Sequence, residues 1–498
     1  MLNVKAEATQ ITVDNNTAKS DDPNSKKVTN TTKLTVTDAS SDSFKAYKVL
    51  DIYYNETSNQ MSYDFTSTFT GFKASSYATT TTKDFSTLTI SDYLAYGEEG
   101  ANQTEFNLLA AQFAKYVKKN NIAGLDLAYQ SETAAQIESI EVGAYLLLST
   151  TNNPFIDKEG DQIVNTYGTL IANVVFNVES DGWHLNELRI GAKLDENDIL
   201  SRILNCSASN IIQEYDNADE VNTFYKNKDY TYLLDIAAPS EYVTDTSSYK
   251  VTITFPEGID YNGIYTAILK DNYSLYPVSN NKLYYDNNIV ADITTEGKVI
   301  TITSPTEEFT WGFHLVVGVK LSDTPVLGEA GNTIKAEATY ITDPYSDPIG
   351  TTTLTDENKV ITYGLQITNK DASSDANLSG GVFGIYTDST CSDSSKIGEV
   401  TVTDGVVKFA GVTDGDLYVK QITAPSGYKL STDVAHITID TTSLTSEGYY
   451  PLEVKNAKQG LLPSTGGLGT ILYTTFGLLV IVLGSLAFIS YRKKAQSN

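Results

Sequence analysis

The sequence predicts a mainly β protein: tandem immunoglobulin-like β-sandwich domains, a helical insertion in the first of them, and a transmembrane helix at the C-terminus. Three observations predict it. The 498 residues are too many for one ordinary core, so several domains are expected. The chain holds 33 Tyr against 2 Trp and is rich in Thr, and Tyr and Thr both suit a half-buried pleated surface. From Leu468 to Ile489 the text is almost wholly apolar or small, and about 20 such residues cross the hydrocarbon of a bilayer.

Each element follows in order. Residues 1–29 are polar and rich in Asn, Asp, Ser and Lys, which reads as a disordered leader. Ala6-Glu7-Ala8 has the small-x-small form that ends a cleaved signal, so Met1 is expected to lie inside a longer precursor. A first domain is expected over 30–195. Its text from Phe44 to Tyr53 alternates as a strand does, with Phe44, Ala46 and Lys48 on one side and Tyr47, Val49 and Asp51 on the other. Phe106 to Val117 carries apolar residues at spacings of three and four, a helix that Asn120-Asn121 stops. Val142–Leu148 and Leu170–Val178 return to strand. A second sandwich is expected over 196–360, from strand text at Tyr230–Ile236, Tyr249–Phe255 and Val299–Thr303, with turns at Pro256-Glu257-Gly258 and Gly328 to Gly331. A third β domain follows over 361–457, with landmarks at Leu378–Tyr386 and Leu417–Tyr428, and 458–498 form a C-terminal signal.

Composition excludes several functions. A formal net charge of −27 is repelled by nucleic acid and by anionic lipid surfaces. Cys206 and Cys391 are the only cysteines and fall in different expected domains, which excludes a disulfide framework. His184, His314 and His436 are scattered without metal spacing, and the Asp-rich stretch Thr37–Asp42 lacks the order of an EF-hand loop. No catalytic motif is present, and no cofactor or metal is expected.

The C-terminus carries the clearest functional signal. Arg492, Lys493 and Lys494 follow the apolar run, and positive charge stays on the cytoplasmic side, which leaves the bulk of the chain outside. A plain tail anchor or a buried core helix are the alternatives. Upstream stands Leu462-Pro463-Ser464-Thr465-Gly466. It resembles the LPxTG sorting motif in full, followed as usual by an apolar span and a basic tail. The resemblance implies that a sortase cysteine attacks the carbonyl of Thr465, forms an acyl-enzyme and releases Gly466 onward. Pro463 kinks an extended peptide so that Leu462 and Thr465 are presented to a groove, and Gly466 leaves room at the scissile bond. The precursor is then held in the plasma membrane only transiently, with its N-terminus outside, before attachment to cell-wall peptidoglycan.

Phe44-Lys-Ala-Tyr-Lys-Val49, Leu378-Ser-Gly-Gly-Val-Phe-Gly-Ile-Tyr386 and Thr423-Ala-Pro-Ser-Gly-Tyr428, together with the sorting signal, are similar to the backbone pilins of sortase-assembled Gram-positive pili, with a CNA-B/SpaA-like prealbumin-type C-terminal domain. In that family a lysine late in the first domain joins to the sorting threonine of the next subunit. The matching text, from Trp183 to Lys193, makes Lys193 the implied linking lysine. The family's domains also carry internal Lys–Asn isopeptide bonds. Their formation needs a buried neutral lysine, a facing Asn carboxamide and a buried carboxyl to carry the proton. Here the expected donor of the second domain is Arg202, and the carboxyl position of the third is Gln421. In the third domain Asn369 shares the face of Leu365 and Ile367, so Asn456 is expected to meet Asn369 rather than a lysine. Neither bond is expected. The chain is thus expected to be the shaft subunit of a covalent pilus that supports adhesion, with sortase, neighbouring pilins, peptidoglycan and a host surface ligand as partners. The alternative is a monomeric wall-anchored adhesin, and a surface enzyme has no residue constellation behind it.

Overall fold

The structure, a computed structural model, describes residues 8–39, 42–72, 103–131, 134–150, 155–156, 162–192, 194–211, 218–238, 246–269, 275–285, 288–303, 312–460 and 468–495. It is mainly β, as the sequence predicts, and its contacts divide it into two compact units. One holds 1–224, 228–326 and 331–361; the other holds 225–227, 327–330 and 362–498.

The larger unit begins with a ten-stranded sheet built around Phe44–Asn55. That strand is buried on both sides. Phe44, Ala46 and Ile52 enter one core with Val28, Leu34, Tyr145 and Leu147. Tyr47, Val49 and Leu50 enter another, beneath helix α1 (Gln103–Lys119), which contributes Ala110, Phe113, Ala114 and Val117. Those four positions recur at three and four, the stripe that an amphipathic helix presents to a core. Past the helix end, Asn121 takes a left-handed φ of 48° and the Asn120 side chain donates to Tyr116 O, so the stop is a C-terminal cap.

The expected leader is a correction. Val13–Ala18 pairs antiparallel with Ser25–Val28, which pairs in turn with Phe44–Asn55. Polar side chains hold this edge: Asn30 accepts from Thr12 N and donates to Gln10 O, while Asp22 accepts from the Ser25 hydroxyl and from Asn55 Nδ2. Composition alone made the stretch look disordered, because few of its residues are apolar and the sheet supplies the rest of the stabilisation. Residues 1–7 lie outside the described residues.

Two seven-stranded sheets form a sandwich in the same unit. Tyr232, Leu234, Leu315 and Val317 from one sheet meet Val251, Ile253, Ile300, Ile302, Ala336 and Ala338 from the other. The expected border at 195/196 is not a clean cut. Strand Gln162–Tyr167, placed by sequence in the first domain, pairs with Leu194–Leu204 of the sandwich, Ile163 opposite Asp198 and Tyr167 opposite Leu194. Lys118 at the end of α1 pairs with Asp343.

The smaller unit has a three-stranded and a four-stranded sheet. Its first strand, Tyr363–Asp371, runs parallel to its last, Tyr449–Asn456. Leu365, Ile367, Phe383, Ile385, Leu417 and Val419 are buried within it. The chain's C-terminal helix α2 spans Leu468–Ala495, and its segment Leu472–Lys493 has mean hydropathy 2.2 and no part buried by protein. At ~1.5 Å per residue its 22 residues reach about 33 Å, enough for a bilayer's hydrocarbon.

Candidate functional site

Along Tyr363–Asp371 burial alternates: Leu365, Ile367, Asn369 and Asp371 face inward, and Gln366, Thr368 and Lys370 face outward. The parallel last strand brings Asn456 opposite Asp371, and strand Gly415–Thr423 brings Gln421. Asn369, Gln421 and Asn456 are all buried, at 0%, 3% and 3% exposure. They form a chain of carboxamides. Asn369 Nδ2 donates to Leu378 O at 3.3 Å, and Asn456 Nδ2 donates to Asn369 Oδ1 at 2.5 Å. Gln421 Nε2 donates to Asn456 Oδ1 at 2.8 Å, and Ser431 N donates to Gln421 Oε1 at 2.9 Å. Each amide oxygen accepts and each amide nitrogen donates, which is the condition for burying polar groups without loss. No member is an amine or an acid. Lys370, one residue away, points outward to Glu453 at 2.6 Å, whose hydrogen bond is the main cause of its raised pKa.

Next to this chain sits a clasp. Asp371 Oδ2 accepts from the Tyr428 hydroxyl at 2.7 Å, and Oδ1 accepts from Ser373 N and Ser374 N. The Tyr428 bond first, then the two backbone bonds, hold the Asp371 carboxyl well below the usual aspartate range. Lys458 Nζ lies 3.5 Å from the same carboxylate. The backbone is pinned here as well: Lys429 N donates to Ala457 O and Gln459 N to Gly427 O, both at 2.9 Å. Gly427 makes the turn possible with φ of 84°, a value that other residues rarely adopt. The chain is therefore held against the domain as far as Gln459. The motif Leu462-Pro463-Ser464-Thr465-Gly466 lies outside the described residues.

In the sandwich, inward positions along Leu194–Leu204 are Asn197, Ile199, Ser201 and Ile203. Arg202 faces away, partly exposed, 3.8 Å from Glu220. The residue that occupies the core side is Ser201. Its backbone N and hydroxyl both donate to Asp356 Oδ2 at 2.6 Å, and its carbonyl accepts from Asn358 Nδ2 at 3.2 Å. Sequence reasoning missed this cluster, because the three residues come from two strands that nothing local brings together.

The first sheet carries a second polar cluster that the sequence did not announce. Lys27 and Lys48 meet Asp51 and Glu141: Lys27 lies 3.0 Å from Asp51 and 3.2 Å from Glu141, Lys48 lies 2.8 Å from Asp51, and Lys48 also pairs closely with Glu141. Burial pulls the Lys27 pKa down, but the hydrogen bonds and charge of Asp51 and Glu141 outweigh it and raise it. Lys27 thus remains a cation, in a cluster of two lysines and two carboxylates.

Lys193 lies outside the described residues, but both its flanks are fixed. Leu188–Gly191 runs parallel to Thr31–Thr37, Ala192 N donates to Thr37 O at 2.8 Å, and Leu194 pairs with Tyr167. Glu187 accepts from the Thr35 hydroxyl at 3.1 Å. Trp183, which opens the same motif, lines a cavity of ≈ 350 Å³ with Ile52, Met61, Tyr63 and Phe176, and its indole N–H donates to Asn59 Oδ1 at 3.2 Å.

Comparison with known proteins agrees with this architecture. Residues 364–450 match the family described as "SpaA: Prealbumin-like fold domain", and residues 454–498 match the LPXTG cell wall anchor motif. A stretch of 132 residues is 28% identical to the trypsin-resistant surface T6 protein of Streptococcus pyogenes serotype M6, and spans 24% of this chain and 24% of that protein. In fold, the chain is similar to the T6 backbone pilin of serotype M6 Streptococcus pyogenes, with a TM-score of 0.58 and 16% identity over 86% of this chain and 99% of that one. It is also similar to the major pilin SpaD of Corynebacterium diphtheriae, with a TM-score of 0.50 and 15% identity over 86% and 98%. With an LPXTG anchor motif following a SpaA-type prealbumin-like domain, the chain is a cell-wall-anchored surface protein, and it shares the fold of these pilins.

Proposed function

We propose that this chain is the polymerising shaft subunit of a covalent surface pilus, and that sortase joins Thr465 of one copy to Lys193 of the next. One observation carries the proposal: an LPXTG anchor follows directly on a chain with the fold of major pilins. The chemistry falls to the sortase. Its cysteine thiolate attacks the Thr465 carbonyl, and the amine of Gly466 leaves with a proton. A neutral Lys193 amine then attacks the thioester, an amide forms, the thiolate departs, and the amine's extra proton passes to a base. A neighbouring acid such as Glu187 or Asp195 takes that proton. Thr465 follows the pinned Gln459 by six residues, so chain length alone keeps the scissile bond within about 20 Å of the last hydrogen-bonded position. Head-to-tail joining between two different sites on each copy gives a linear fibre when the contact does not close into a ring. The last subunit passes to peptidoglycan instead.

The carboxamide chain and the ion quartet support a second part of the proposal. This shaft subunit is held by buried hydrogen bonds and ion pairs, with no Lys–Asn bond at Arg202 or among Asn369, Gln421 and Asn456. A guanidinium stays protonated, and three carboxamides offer neither a nucleophilic amine nor a proton shuttle.

Two variants test the joining step. Thr465→Ala should leave uncleaved precursor in the membrane fraction; wall-linked protein at wild-type level would refute sorting at this site. Lys193→Arg keeps the charge and removes the usable nucleophile. Wall extracts of that variant should show anchored monomer without the SDS-resistant ladder. A normal ladder would move the role to another lysine, and a wild type without a ladder would favour the monomeric adhesin.

A further inference from the structure

We propose that Glu179, Asp181 and His184 form a binding site for one divalent transition-metal cation of the zinc class. The three residues lie on a small hairpin, Asn177–Glu179 and Gly182–His184, that forms a two-stranded sheet of its own. Asn177 is opposite His184 and Glu179 is opposite Gly182, so Glu179 and His184 are diagonal neighbours on one face. Gly182, with φ of 136°, has no side chain to stand between them. Asp181 in the turn completes the set. His184 Nε2 lies 2.9 Å from Asp181 Oδ1 and 4.0 Å from Glu179 Oε2, and the three donor atoms all lie within 4.8 Å of one another. Ligands at about 2.0–2.2 Å around a tetrahedral Zn²⁺ stand roughly 3.3–3.6 Å apart, so small side-chain rotations bring these donors to a common centre.

Chemistry and burial select the class of cation. One imidazole and two carboxylates make a borderline nitrogen–oxygen set, which suits Zn²⁺ and its neighbours better than Ca²⁺ or Mg²⁺. Two carboxylates balance a divalent charge. His184 is buried at 3% exposure, which fixes its ring, while Glu179 and Asp181 are exposed and leave further coordination positions to water or to an outside donor. The hairpin also has a structural use for a clip. Its strands have three residues each, the first is exposed along its length, and Val178 is 69% exposed. So short a ribbon is marginal by itself. Its other ties include Thr9 N donating to Trp183 O, Leu185 N donating to the Thr9 hydroxyl and the Trp183 indole N–H donating to Asn59 Oδ1. A bound cation would join both strands and the turn, and would hold Trp183 against the cavity it lines.

The site stands independently of polymerisation, and its test uses the full chain in detergent micelles after treatment with a chelator. Co²⁺ as the probe should bind at one equivalent with visible d–d absorption, and Zn²⁺ should displace it. Hydrogen exchange at 177–184 should slow on addition of Zn²⁺. The paired change Glu179→Gln and Asp181→Asn alters exposed side chains and leaves His184 packed, and it should weaken Zn²⁺ binding by roughly 100-fold or more, at least the cost of losing an outer-shell partner. Absence of binding to the wild type, or equal binding to the paired variant, would overturn the proposal by showing that the three groups are only a His184–Asp181 hydrogen bond with an added carboxylate.

Discussion

Two substitutions should turn the third domain into one that cross-links itself. Asn369→Lys places an amine on the buried face beside Leu365 and Ile367, where desolvation favours its neutral form. Gln421→Glu places a carboxyl at the position now 2.8 Å from Asn456 Oδ1. The amine attacks the Asn456 carboxamide, the carboxyl carries the proton, and ammonia leaves. The product weighs about 17 Da less than its sequence mass. The new bond would span 87 positions. By chain entropy a loop of that size adds about 4.5 kcal/mol of stability. For a domain near 100 residues that is a rise in midpoint of roughly 20–30 °C. Intact-mass spectrometry and calorimetry measure both effects. The wild type and Asn369→Lys alone should keep their full sequence mass, the first for want of an amine and the second for want of a shuttle. A wild type already short by one ammonia would refute the proposed absence of the bond. A double variant that folds by circular dichroism yet keeps its ammonia would show that the three side chains are not placed for the reaction.

Two further outcomes concern charge. Because hydrogen bonds depress the Asp371 pKa, its contribution is complete above the ordinary aspartate value of 3.8 and is lost as pH falls through the lower folded value. Asp371→Asn should therefore flatten the acid limb of the third domain's stability-against-pH curve and speed hydrogen exchange at 457–460; an unchanged acid limb would remove the clasp's role. Asp51→Asn leaves Lys27 and Lys48 sharing Glu141. With these groups partly screened by solvent, denaturant unfolding should show a loss of about 1–3 kcal/mol in the first sheet, and a neutral result would mean that the quartet adds nothing net.

Local pattern determined much of this protein. Alternation along Tyr363–Asp371 put Asn369 on the inner face with Leu365 and Ile367, and the structure places it there, against Asn456. The spacing of α1 and its Asn120-Asn121 stop, and the apolar length and basic flank of α2, were likewise readable, because each is set by neighbours within a few residues. Tertiary structure decided the rest. Arg202 seemed to hold the donor position until the strand's phase put Ser201 on the core side, since a shift of one residue exchanges the two faces. Residues 13–28 looked disordered by composition, yet they add strands to an edge whose partner lies at Phe44–Asn55. The border near 195 blurred because Gln162–Tyr167 finds its ladder across it. The ion quartet, the Ser201–Asp356 cluster and the facing of Glu179 and His184 all depend on which strands pair and in what register. Long-range hydrogen bonding and burial fix that choice, and composition, periodicity and spacing do not encode it.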